Sequence, residues 1–277
     1  MDYSIDTYKK ILIETFKAFI AFCKEHDIKY VGAYGTVLGA VRHEGLIPWD
    51  DDIDVYMDRE NYDKFISLRN DPSLLGYEIL DVKNENYYLP FAKFSNKNTT
   101  IWELRHIECI IGVFIDVFPV DDVADIDESR IIHEKYCDLY GTYIHSLKSL
   151  TSPDVYLHPS YFLKVLAAKI KRTHVLKDIK NLESKFKTIS GDKMMYYRSL
   201  NKYEKSILKK TWIKDITELP FEGLSINVPK DYTSYLAFTY GDYMKLPPEN
   251  ERVSVHYHYY IDLDKRLSIK EIKRIIK

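Results

Sequence analysis

The chain has 277 residues, a formal net charge of -2 and 45% hydrophobic residues, enough to bury one large core or two small ones without disulfide staples. Its 3 Cys (Cys23, Cys109 and Cys137) are odd in number, far apart and fit no zinc or redox spacing, which argues against a disulfide framework and points to a reducing compartment. No run approaches the ~18 apolar residues of a spanning helix, and MDYSIDTYKK lacks the basic-then-apolar pattern of a secretory signal, so a cytoplasmic location is expected.

Tyr8, Ile11, Leu12, Phe16, Phe19, Ile20 and Cys23 recur at helical spacing and predict a helix over 5–25. Residues 28–33 predict a short strand, Gly35 and Thr36 a turn, and the small-residue run 37–41 the start of a helix. Residues 42–51 are loop by their Gly, Pro and acids. Residues 52–57 alternate as a half-buried strand does, and 59–69 predict a helix with Tyr62, Phe65, Ile66 and Leu68 inward. Short strands are expected at 77–82, 91–95, 99–103 and 112–118. Helices follow at 124–150 and 160–189, separated by Pro153 and Pro159. A strand or hairpin arm is expected at 221–228, a helix from Pro229 to about Tyr240, and a turn-rich segment at 241–256. The fold class is α+β, a small mixed sheet flanked by helices. The expected organisation is a catalytic core over 1–125, a basic helical insert over 126–215, and a C-terminal segment, 216–277, that completes the site.

Charge is distributed unevenly. Residues 1–130 hold 25 Asp/Glu against 14 Lys/Arg, whereas residues 161–214 hold 15 Lys/Arg against 4 Asp/Glu. Clustered acids suit a divalent metal. Clustered bases suit either a solvated helical face or an anionic surface. Residues 161–172 are both apolar and basic, which fits packing on the catalytic domain or resting on anionic lipid. Nucleic acid is not expected as a partner, because the acidic half would repel a phosphate backbone.

The acidic strand is the most informative stretch. Alternation places Asp52 and Asp54 on one face, with Asp50 sharing that parity if the strand extends so far. Two carboxylates about 6–7 Å apart repel unless a cation lies between them. Asp116, alone inside the apolar run 113–119, is the candidate third acid; its other reading is an ion pair with Lys93 or Arg42. Gly35 and Thr36, at a helix start, suit contact with phosphate oxygens. Arg42, His43 and Lys93 suit charge balance there, and Arg42 equally suits pairing with Asp50 or Asp51.

The run 34–54, YGTVLGAVRHEGLIPWDDDID, resembles the signature of the LicD family. That family belongs to the nucleotidyltransferase-fold superfamily and includes bacterial phosphocholine transferases, with fukutin-related proteins as distant relatives. The resemblance continues at 91–93 (FAK), 114–119 (FIDVFP), 240–244 (YGDYM) and Pro247-Pro248. Position 34 is Tyr where many superfamily members have a second Gly, and the cysteines of the fukutin-related branch are absent. The resemblance implies a metal pair at Asp52 and Asp54, a third acid at Asp116, magnesium (or manganese) as the ion, and a nucleotidyltransferase-like sheet. It implies transfer of phosphocholine from CDP-choline to a hydroxyl of a glycan, of teichoic acid or lipopolysaccharide type and lipid-linked, at the inner face of the membrane. The rivals are transfer of another phospho-alcohol, such as ethanolamine or ribitol, and nucleotidyl transfer from an NTP. A quaternary ammonium calls for aromatic faces, for which Trp49, Trp102 and Tyr243 are candidates. His256 and Arg252 are candidates either for nucleotide contact or for capping the domain.

Overall fold

The computed structural model describes residues 4–199, 203–253 and 258–276. The chain runs through α1 (Ile5–Glu25), β1 (Val31–Gly32), α2 (Tyr34–His43), β2 (Asp54–Asp58), α3 (Arg59–Ser67), β3 (Tyr77–Leu80), β4 (Ala92–Asn96), β5 (Thr100–Trp102) and β6 (Phe114–Val123). It continues with α4 (Ile126–Leu147), α5 (Pro153–Tyr156), α6 (Pro159–Phe186), β7 (Lys193–Met195), β8 (Ile207–Lys209) and α7 (Lys210–Lys214). The last described elements are β9 (Ile216–Phe221), β10 (Leu224–Pro229), α8 (Tyr232–Tyr240), β11 (Tyr260–Asp262) and α9 (Ile269–Ile275).

The main sheet has the order β1-β2-β6-β4-β3, with β7 on β6 and β8 on β7. Among the described residues of this sheet, β2 and β6 run parallel and the other paired strands antiparallel. This is the α+β, nucleotidyltransferase-like architecture expected. Ser4 starts α1 by accepting the Thr7 N–H, and the apolar stripe then buries Leu12, Phe16, Phe19 and Phe22 against the sheet. Phe19 meets Phe94 of β4 and Phe65 of α3 edge-on. Each such ring contributes about 1.5–3 kcal/mol by leaving water.

β6 is the spine. It runs beyond the expected end at 118 and carries Pro119 inside a strand. The Asp116 N–H points to Ile53 of β2, so three residues on, position 119 points to the other side. There β4 has already ended, its last pairing being Ala92 with Val117, so the missing N–H costs no ladder bond. At the far end of β6 the buried Asp121 accepts a two-pronged bond from Arg59 at 2.6 and 2.8 Å. Arg198 also reaches Asp121, and bonds Glu183 of α6 at 3.0 Å. This network ties the sheet to the antiparallel pair α4 and α6.

The stretch expected to be a helical insert also adds β7 and β8 to the main sheet. Lys-Met-Met and Ile-Leu-Lys are three-residue strands with no alternation to read, so the sequence pattern gave no warning. Pro229 ends β10 and does not open a helix; α8 begins at Tyr232 behind the Asp231 cap. Among the described residues, no helix is long and apolar enough to cross a membrane.

Candidate active site

The sheet brings one cation and two acids into line. Asp54, the first residue of β2, pairs in register with Asp116 of β6, and Asp116 pairs in register with Lys93 of β4. Register partners project to the same face. The Lys93 ammonium sits 2.7 Å from Asp116 Oδ1 and 3.0 Å from the centre of the Phe114 ring. Lys93 is thus buried and committed to Asp116, the ion pair that is the alternative to a metal role for that acid.

Asp54 is the acid left over. Its Oδ1 is buried and accepts no hydrogen bond among the described residues. Burial pushes its carboxyl well above the usual carboxylate range; Asp52, Asp116 and Asp50 raise it further, against a smaller opposing pull from Lys93. A buried oxygen with no donor, ringed by carboxylates, is a place a hard cation would satisfy. The donors are all oxygen, which suits magnesium.

Burial alternates through Asp50–Asp54, with Asp51 and Ile53 inside and Asp50, Asp52 and Asp54 on the more open side. Regular strand starts only at Asp54, later than the expected 52, so Asp50–Asp52 lie in the loop before β2. Carboxylate oxygens of Asp50, Asp51 and Asp52 lie within 4.8 Å of one another. α2 fixes this loop. A Cβ on Gly35 would stand 2.6 Å from Asp50 Oδ2, and one on Gly39 would stand 2.3 Å from the Gly45 carbonyl. The backbone approach at position 39 requires glycine, whereas a side chain at 35 would displace the Asp50 carboxylate. The Thr36 hydroxyl accepts the Asp54 N–H at 2.8 Å, and the Thr36 N–H donates to Ala33. Tyr34 holds a left-handed φ of 43° and donates its N–H to the Tyr235 hydroxyl at 2.8 Å. Gly35 and Thr36 thus set the acids in place, and two of the first N–H groups of α2 are already taken.

Beside the acids lies a cleft of about 560 Å³ lined by Gly35, Arg42, Trp49, Asp50, Tyr240 and Tyr243, among others. Arg42 donates to the Tyr243 carbonyl and to His43 Nε2, each at 3.0 Å. His43 is held below its usual range by burial, then by Arg42, whose N–H its Nε2 accepts. The guanidinium carbons of Arg42 and Arg252 lie 5.9 and 5.6 Å from the centre of the Trp49 indole. Burial, then Tyr235 and the site acids, raise the Tyr240 hydroxyl above the usual range.

Trp102 does not join this cleft. It is buried in a separate small core with Tyr260, Leu267 and Ile272, and its indole N–H donates to the Leu104 and Ile107 carbonyls. β5 pairs with β11 outside the main sheet, and the small pocket that Trp102 does line, with Arg105, Glu108 and Tyr259, is separate from this cleft. His256 lies outside the described residues. Tyr240 and Tyr235 were not singled out beforehand. Tyr240 heads the YGDYM segment, the only sequence signal it gives.

Comparison with known proteins now bears on this geometry. Residues 27–160 match the LicD/FKTN/FKRP nucleotidyltransferase domain family. The chain carries a LicD-family nucleotidyltransferase domain. It is 26% identical over 249 residues to the lipopolysaccharide cholinephosphotransferase LicD of Haemophilus influenzae, covering 86% of this chain and 90% of that protein. Uncharacterized proteins of Rickettsia typhi and Rickettsia prowazekii share 44% and 40% identity over 55 residues, 20% of this chain and 18% and 21% of theirs. The LicD-family domain contains Asp52, Asp54, Lys93 and Asp116; the cleft's other wall, Tyr240 to Arg252, lies beyond it.

Proposed function

We propose that the protein transfers phosphocholine from CDP-choline to a hydroxyl of a cell-surface glycan precursor, of lipopolysaccharide or teichoic acid type, and releases CMP. The observation that carries this reading is the near full-length similarity to a lipopolysaccharide cholinephosphotransferase. The all-oxygen acid cluster beside a basic, aromatic cleft supports it.

The acceptor oxygen attacks the phosphorus that bears choline. The bond from that phosphorus to the oxygen shared with CMP breaks, and CMP leaves with the electron pair. The hydroxyl proton passes to a site carboxylate, for which Asp116, held still by Lys93, is the candidate. An ionised carboxylate is a weak base, so positioning supplies most of the rate. Magnesium or manganese held by Asp52, Asp54 and Asp116 would supply neutralisation of the diphosphate and leaving-group charge. Arg42 and Arg252 offset phosphate charge from the cleft, with Trp49 between them. Because Trp49 already faces two guanidinium groups, the choline head is better served by Tyr240 and Tyr243, beside Asp50 and Asp242.

The test is incubation of purified protein with magnesium and a panel of CDP-choline, CDP-ethanolamine, CDP-ribitol and an NTP. CMP formed from CDP-choline in the presence of glycan acceptor is the expected product. Pyrophosphate from the NTP, or CMP from another conjugate alone, would replace this reading with a rival. Asp52→Asn is expected to abolish turnover while the circular dichroism spectrum stays unchanged.

A further inference from the structure

α6 has apolar residues on two opposite sides. One stripe, Val165, Ala168, Val175, Ile179, Leu182 and Phe186, is buried and includes the seam with α4. A second points outward: Leu163 is 63% exposed, Leu166 37% and Ile170 78%. These three fall within roughly 60° of one another on a helix of 3.6 residues per turn, on the side away from Val165. Just before them, Tyr156 is 52% and Leu157 63% exposed at the end of α5. Lone exposed apolar residues are ordinary; five at one end of a helical layer form a patch.

Charge selects what covers it. From Asp154 to Asp178 the chain has no carboxylate between the two, while Lys164, Lys169, Lys171, Arg172 and Lys177 fall in that span. Lys169 turns inward to the Ser146 carbonyl, and Arg172 lies 5.8 Å from the centre of the Tyr143 ring. Lys164, Lys171 and Lys177 remain exposed around the outward stripe. An apolar ridge edged by ammonium groups, with Asp154 at the start of α5 the one acid in the span from Pro153 to Lys177, is complementary to a bilayer surface with anionic headgroups: the side chains enter the acyl boundary and the lysines meet phosphates. We propose that α5 and the first three turns of α6 dock this protein on an anionic lipid surface, with Leu157, Leu163, Leu166 and Ile170 as the inserted residues. This docking is independent of the reaction proposed above.

The test is vesicle flotation of the full chain, with phosphatidylcholine alone and with phosphatidylcholine mixed with phosphatidylglycerol, at low and high salt. Wild type is expected to float with the mixed vesicles, less at high salt, and to stay down with phosphatidylcholine. Leu163→Glu/Ile170→Glu is expected to lose binding at least about tenfold with an unchanged melting temperature. Lys164→Gln/Lys171→Gln is expected to lose it in part and to lose its salt dependence. The proposal is overturned if wild type stays down with both vesicles, or if the double-Glu variant floats as well as wild type. It is equally overturned if light scattering finds a wild-type dimer that the double-Glu variant splits, since a second copy would then cover the stripe.

Discussion

Trp49 and Trp102 show how one residue type takes two roles. Trp102 is surrounded by Tyr260, Leu267 and Ile272, with its N–H spent on two carbonyls. Trp49 is half-buried, flanked by two guanidinium groups at the rim of the cleft. Trp102→Ala therefore costs about 3–5 kcal/mol of stability, read by urea unfolding, and leaves KM for CDP-choline unchanged in the folded fraction. Trp49→Ala does the reverse: little change in stability and a raised KM for the donor. Both tryptophans lie in or beside recognisable sequence segments, so composition alone did not separate them. The difference is made by β11 and by Arg252, partners about 150 to 200 residues away in sequence, which no local pattern encodes. Asp52, Asp54 and Asp116 were legible for the opposite reason. Alternation on a short strand, and an acid alone in a β-branched run, are local signals with a physical cost attached.

At the level of elements, long periodic segments were readable and short ones were not. α1 coincides with its predicted span because its aromatic stripe repeats over five turns. β7, β8 and β11 are three residues each and exist only because neighbours supply ladder partners. The junction of α2 with β2 is held at Asp54 by two hydrogen bonds, the Ala33 N–H to the Asp54 carbonyl and the Asp54 N–H to Thr36 Oγ1. Thr36→Val keeps the shape but strands that buried donor, which costs about 1–3 kcal/mol. It also frees the start of β2, so kcat falls with Asp54 displaced. Thr36→Ser retains the bond and is expected to restore kcat; equal loss in both variants would remove this link between the Thr36 hydroxyl and the acid.

Across the whole molecule, the acid cluster makes stability depend on pH and on divalent ions together. Asp54 has a carboxyl raised above its unfolded value, so the proton it binds stabilises the folded state. That contribution is complete below the ordinary carboxylate range and is lost as pH rises through the raised value. A divalent cation binds the ionised form and reverses the loss. The melting temperature without divalent ions is therefore expected to fall relative to that of Asp54→Asn as pH rises from acid to neutral. Added magnesium should raise the wild-type value most at neutral pH and hardly at all in acid. A magnesium effect of the same size in Asp54→Asn would show that the ion binds elsewhere.

The cleft is closed by segments that arrive late in the chain. Arg42 bonds the Tyr243 carbonyl, the Leu46 N–H donates to Glu222, and Tyr34 is held by Tyr235. During synthesis the acids leave the ribosome long before those partners do. A chain that ended near residue 215 would lack Glu222, Tyr235 and Tyr243, the partners of Leu46, Tyr34 and Arg42, so the cleft walled by Tyr240 and Tyr243 is completed only by the final quarter of the polypeptide.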